Sequence, residues 1–213
     1  MRLHLWELGP PDGEPLVCLH GVTGDGGHFR RLAERLPGRR ILAPDLRGHG
    51  RSEREPPWRL EQHLEDVLDT VGDEPSRDWC GHSFGGRLCV ELANRRPELV
   101  RRLVLLDPAL RLQPANAYRL AEEERLGEGG NPRSRAAVVA MFGELTRPSP
   151  AFPQVPTLLV LGRDESVVGP TRRRLYAEAL GTLLETVLVP GGHTVLWDAL
   201  DETAVAVSAW LAR

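Results

Sequence analysis

The feature that most constrains this chain is an alternation of short apolar runs with longer stretches of helical periodicity. Runs at residues 3–8, 16–20, 40–44, 78–80, 103–106, 157–161 and 186–189 have the length and composition of strands. Between them, residues 28–36, 60–71, 84–95, 171–180 and 203–211 carry helix patterns. In the second of these, Leu60, Leu64, Val67, Leu68 and Val71 fall on one face. Such alternation predicts a mostly parallel α/β sheet of about seven strands, joined by right-handed crossovers and covered by flanking helices. Pro10-Pro11-Asp12-Gly13 reads as a tight turn, so the first two strands are expected to pair antiparallel.

One stretch breaks the pattern. Residues 108–156 contain no strand signal, only two helix-like pieces at 115–125 and 134–145 around the glycine-rich residues 127–132. A long insertion without strands inside a compact domain is usually functional, and a short helical lid is the expectation. The remainder of residues 1–213 reads as a single domain.

Composition excludes several classes of function. A net charge of −3 offers no basic footprint for nucleic acid or an anionic membrane. No apolar run reaches the roughly 18 residues of a membrane span. The residues around Met1 to Trp6 lack a signal-peptide pattern, and a cytoplasmic location is the expectation. Cys18, Cys80 and Cys89 lack the spacing of a zinc site or a disulfide framework and read as buried, inert thiols. All 27 basic residues are arginine, which bears on the source of the chain and not on its chemistry.

Chemistry concentrates at Gly81-His82-Ser83-Phe84-Gly85, which fits G-x-S-x-G between a strand and a helical run. That spacing places a serine on a sharp strand-to-helix turn, with its hydroxyl above the sheet and the Phe84 amide aimed at a developing oxyanion. A serine needs a base. Of seven histidines, His193 lies in a glycine-rich loop after the last strand, where an imidazole can reach Ser83. An orienting acid is expected between them in the chain. Asp164 follows the penultimate strand in a loop that should adjoin that of His193. Asp107, which also follows a strand, is the rival, and Pro108 should hold it extended. Near the N-terminus, His20-Gly21-Val22-Thr23-Gly24 follows a strand, and the Val22 amide is the expected second oxyanion donor. Asp45 and Ser52 are expected to cap neighbouring backbone, and His49 and His82 to be scaffold.

These segments together resemble the α/β-hydrolase superfamily, in particular its lid-bearing serine esterase branch. The resemblance covers nearly the whole chain with motifs in family order: the His20-Gly21 loop, residues 44–52, the Ser83 elbow, residues 161–168 and residues 191–198. It implies a triad of Ser83, Asp164 and His193, with the Val22 and Phe84 amides as oxyanion donors and no metal or organic cofactor. Two departures stand out: one N-terminal strand of the family is expected to be absent, with few residues before Leu16 to form it, and the lid is short and charged, with Glu122-Glu123-Glu124 and Arg133 to Arg135. A small-molecule ester is the expected partner, cleaved through an acyl-enzyme, and the short, polar insertion predicts an open pocket that favours short acyl chains.

Two alternatives accompany this reading. Gly85-Gly86-Arg87 resembles the elbow of a menaquinone-pathway lyase branch, where the arginine binds a carboxylate; carbon–carbon bond cleavage on the same triad would follow. Against it, Arg87 reads as a solvated helix arginine. The other alternative is a ligand receptor built on the same fold.

Overall fold

A computed structural model describes residues 1–126 and 135–213. The glycine-rich residues 127–132 and Arg133 lie outside the described residues. Seven strands form one sheet: β1 (Leu5–Leu8), β2 (Glu14–Leu19), β3 (Arg39–Pro44), β4 (Arg77–His82), β5 (Val100–Leu106), β6 (Thr157–Gly162) and β7 (Leu184–Val189). Their order is β1-β3-β2-β4-β5-β6-β7, and every pairing except β1 with β3 is parallel. The expected β1–β2 hairpin is therefore corrected. Residues 10–13 do reverse the chain, but β3 inserts between the two strands, with Leu16 pairing to Ile41 on one side and Leu8 to Ile41 on the other.

The described helices are α1 (Arg30–Ala33), α2 (Leu60–Val71), α3 (Phe84–Arg95), α4 (Pro114–Leu126), α5 (Arg135–Glu144), α6 (Pro170–Leu180), α7 (Val195–Asp198) and α8 (Leu200–Leu211). Helices α2 and α3 have the predicted bounds. The first predicted helix is shorter than residues 28–36: a 3-10 turn over Gly26–Phe29 runs into the single turn of α1.

Strand side chains alternate between two cores, as a pleat with both faces covered requires. Leu103, Leu105, Leu159 and Leu161 pack with Leu60, Leu64 and Leu88 of α2 and α3 on one face. Val104, Leu106, Leu158 and Val160 pack with Leu32, Leu200 and Val207 on the other. The polar start of β4, unusual for a central strand, has a local cause. Asp78 is buried at the amino edge of the sheet, where Arg39, Arg101 and Arg102 all bond to its carboxylate.

The chain moves outward from β2 to β3 and then returns to the far side of β2 as β4. Outside the carboxyl ends of β2 and β4 this reversal opens a crevice, the usual ligand position in an open α/β sheet.

Three histidines sit in the interior without charge. Burial drives His20 well below the ordinary imidazole value, His63 to about 3 and His82 to about 4. Neither ring nitrogen of His63 has a hydrogen-bonding partner among the described residues. In the unfolded chain each imidazole takes up a proton near pH 6.5, whereas the folded protein excludes it until far lower pH. The stability these groups contribute is thus complete above pH 6.5 and is withdrawn as pH falls toward 4. Each removes on the order of 1 kcal/mol per pH unit across that window. The expected result is a fall in Tm on the order of 10 °C between pH 7 and pH 5, read by calorimetry. A Tm independent of pH over this range would contradict it.

Candidate active site

The turn between β4 and α3 is tight because glycine permits it. A Cβ on Gly85 would meet the Leu19 carbonyl oxygen at 2.0 Å, and one on Gly81 would meet the Gly85 oxygen at 2.4 Å. Ser83, between them, is held at φ +54°, a left-handed conformation that turns its side chain up from the sheet. Its carbonyl accepts from the amides of Arg87 and Ala109, which ties the elbow both to α3 and to the start of the insertion.

His193 comes from the loop between β7 and α7. Its Nε2 lies 2.9 Å from Ser83 Oγ. Its Nδ1 lies 3.1 Å from Asp107 Oδ2. A carboxylate can only accept, so the proton sits on Nδ1 and the Nε2 lone pair faces the serine hydroxyl. Asp107 is completely buried, and its second oxygen, Oδ1, accepts from Ser166 Oγ at 2.6 Å.

The expected bond from Asp164 to His193 is therefore corrected. Asp164 is exposed, and its Oδ2 accepts from the Gly191 amide at 3.1 Å. Strand order explains the exchange. To reach Ser83 on β4, the imidazole from β7 leans across the ends of β6 and β5, and the carboxylate beneath it then comes from β5. Asp107 is not extended either, despite the proline that follows it. Its φ of +41° turns the carboxylate inward from the strand end. Asp164 instead steadies the loop that carries His193, together with Asp198, whose Oδ2 accepts from Gly192 N at 2.9 Å and Thr194 Oγ1 at 3.0 Å.

Other histidines brace the site. His82 Nε2 donates to the His193 carbonyl at 3.0 Å. His20 faces the Gly21 oxygen through Nδ1 at 2.7 Å and accepts from Leu46 N at 2.9 Å. His49 Nε2 lies 2.6 Å from the Val22 oxygen. With the Gly21 and Val22 carbonyls held in this way, the Val22 segment lines the crevice beside Ser83. Asp45 accepts from Gly26 N and Arg51 N, and its carbonyl from Ser52 Oγ, the backbone-capping role expected of that segment.

The crevice is a cavity of about 540 Å³, within the usual range for a small-molecule site. Ala109, Leu112, Leu120, Phe142 and Leu145 of the insertion line it with apolar side chains, beside Asn116 and Arg119. Thr23, His28, His82, Thr194 and Trp197 line it too, as do Ser83 and His193.

Arg87 is not solvated, contrary to expectation. It is 2% exposed and bonds Glu91, the Pro148 carbonyl at 2.9 Å and the Leu110 carbonyl. Those carbonyls belong to the two legs of the insertion, which Leu112 N joins directly to the Leu145 oxygen at 2.8 Å. The guanidinium thus fastens the insertion to the helix behind Ser83, and it is absent from the residues lining the crevice. Ser166 gave no signal in the sequence, because a lone serine inside a loop has no distinguishing spacing.

Comparison with known proteins agrees with the architecture. Residues 14–139 match the model of the alpha/beta hydrolase fold family. Lipase LipV of Mycobacterium tuberculosis is 45% identical over 113 residues, 52% of this chain and 43% of that protein. The 2-hydroxymuconate semialdehyde hydrolase of a Pseudomonas species is 39% identical over 118 residues, 51% of this chain and 41% of that protein. The matched stretches thus span less than half the length of these curated relatives. Among solved structures, the enol-lactonase from Burkholderia xenovorans superposes with a TM-score of 0.86 at 20% identity, covering 99% of this chain and 96% of that one, a likeness of fold. On the family match and this architecture, the chain belongs to the α/β-hydrolase fold family.

Proposed function

We propose that the chain is a serine hydrolase that cleaves a small carboxylic ester through an acyl-enzyme on Ser83. The observation that carries this reading is the continuous relay from Ser83 Oγ through His193 to the buried Asp107. In the forward step His193 Nε2 takes the hydroxyl proton as Ser83 Oγ bonds to the ester carbonyl carbon. The Val22 and Phe84 amides receive the oxyanion. Phe84 is the first residue of α3, where backbone N–H groups have no partner within the helix. His193 then protonates the leaving alcohol and activates water to release the acid. Asp107 keeps the imidazole in the tautomer that both steps require. Residues 108–126 and 135–156 act as a lid that lines the crevice beside Ser83.

A panel of p-nitrophenyl esters from acetate to palmitate tests this. Among the described residues the insertion gives the crevice five apolar side chains, so butyrate should be turned over at least roughly tenfold faster than palmitate, by the usual discrimination of a bounded apolar pocket. No ester turnover, or a preference for palmitate, would count against it. The match to a 2-hydroxymuconate semialdehyde hydrolase supports carbon–carbon cleavage as the second reading. An acidic diketone turned over far better than any ester would establish that alternative. The bonded Arg87 gives it no carboxylate anchor in the crevice.

A further inference from the structure

We infer that Ser166 is a positioning residue for the acid of the relay: it holds Asp107 so that Oδ2, and not Oδ1, faces His193. The inference rests on the serine hydrolase reading and adds a residue to it.

A fully buried carboxylate must find donors for both oxygens, or the unpaired one remains a desolvated charge. His193 serves only Oδ2. Ser166 Oγ lies 2.6 Å from Oδ1, the short distance of a hydroxyl donating to an anion. The serine is itself oriented. Its oxygen accepts from the Val168 amide at 3.0 Å, which directs the O–H away from that side and toward the carboxylate. Its other acceptor, the Val168 carbonyl, is more distant at 3.4 Å. Anchoring one oxygen stops rotation of the carboxylate about Cβ–Cγ. The geometry at Nδ1 is then set before substrate arrives. The loop between β6 and α6 therefore contributes no acid to the relay. It supplies the donor that orients the acid, while its Asp164 steadies the loop of His193.

A second cavity of about 390 Å³ is lined by both Ser166 and His193. Removing the hydroxyl would leave Oδ1 beside this open space, where water can replace the lost donor in part. The effect of alanine should accordingly be intermediate, below that of removing Asp107.

The test compares wild type, Ser166→Ala and Ser166→Thr on p-nitrophenyl butyrate, with fluorophosphonate labelling rates and Tm for each. In Ser166→Ala, kcat should fall by roughly 10- to 100-fold with KM within about twofold, the range for a hydrogen bond to a charged group. Labelling of Ser83 should slow in step. Ser166→Thr, which keeps the hydroxyl, should restore kcat to within about threefold of wild type. A kcat for Ser166→Ala within twofold of an active wild type overturns the inference alone. Equal losses in both variants, in proportion to lowered Tm, also overturn it, by showing a packing role. A wild type that neither hydrolyses the ester nor labels would instead overturn the reading beneath it.

Discussion

Ester turnover by Ser83→Ala is expected to fall by roughly 10⁴-fold or more, with the fold intact. On the proposed mechanism, loss on this scale follows because the covalent step needs an oxygen at one place only, 2.9 Å from His193 Nε2. Without it, His193 could activate only a loosely held water, and the oxyanion donors would act on a substrate with no positioned nucleophile. The fold should survive because alanine accepts φ +54° about as well as serine, and the strained turn is imposed by Gly81 and Gly85. Two measurements check this. The variant's Tm should match wild type within a few degrees, and a fluorophosphonate probe that labels wild type at Ser83 should label the variant nowhere. Near-full turnover, or a second labelled serine, would remove Ser83 from its role.

The elements legible in the sequence were those whose reasons are local. The central strands β5 and β6 are legible because apolar runs covered on both faces are written continuously, as in Leu103 to Leu106 or Thr157 to Leu161. The elbow was legible because a serine between glycines at a strand end has one economical conformation. What could not be read was lateral order. Nothing in Pro10 to Gly13 says that β3 will insert between the strands it joins; that is decided by crossover connections and packing elsewhere. The same blindness affected the acid. Asp107 and Asp164 both follow parallel strands, and choosing between them requires knowing that the imidazole leans across β6 and β5 to reach β4. Arg87 departs from its expected solvated position for a related reason. Its position on α3 suggests a solvated face, but the legs of the insertion, distant in sequence, fold over it and supply carbonyls.

The exchange of acids leads to the sharpest test, a comparison of Asp107→Asn with Asp164→Asn. Asparagine at 107 is nearly isosteric and can still accept from Ser166 through its amide oxygen. Its amide nitrogen, however, would face His193 Nδ1 as a donor. The imidazole proton would then be driven to Nε2, where the ring can no longer accept from Ser83. Turnover should fall by roughly 10⁴-fold, as expected for an imidazole held in the wrong tautomer. Asparagine at 164 changes far less. Its side-chain oxygen can still accept from the Gly191 amide, so the His193 loop keeps its anchor and only an exposed charge is lost. Activity within about tenfold of wild type is expected there, by comparison with the modest net worth of one exposed hydrogen bond. Measured side by side on one ester, the two variants should differ by about three orders of magnitude, the ratio of those two expected losses. If the order is reversed, the carboxylate that orients His193 in solution is that of Asp164, and the contact with Asp107 is structural.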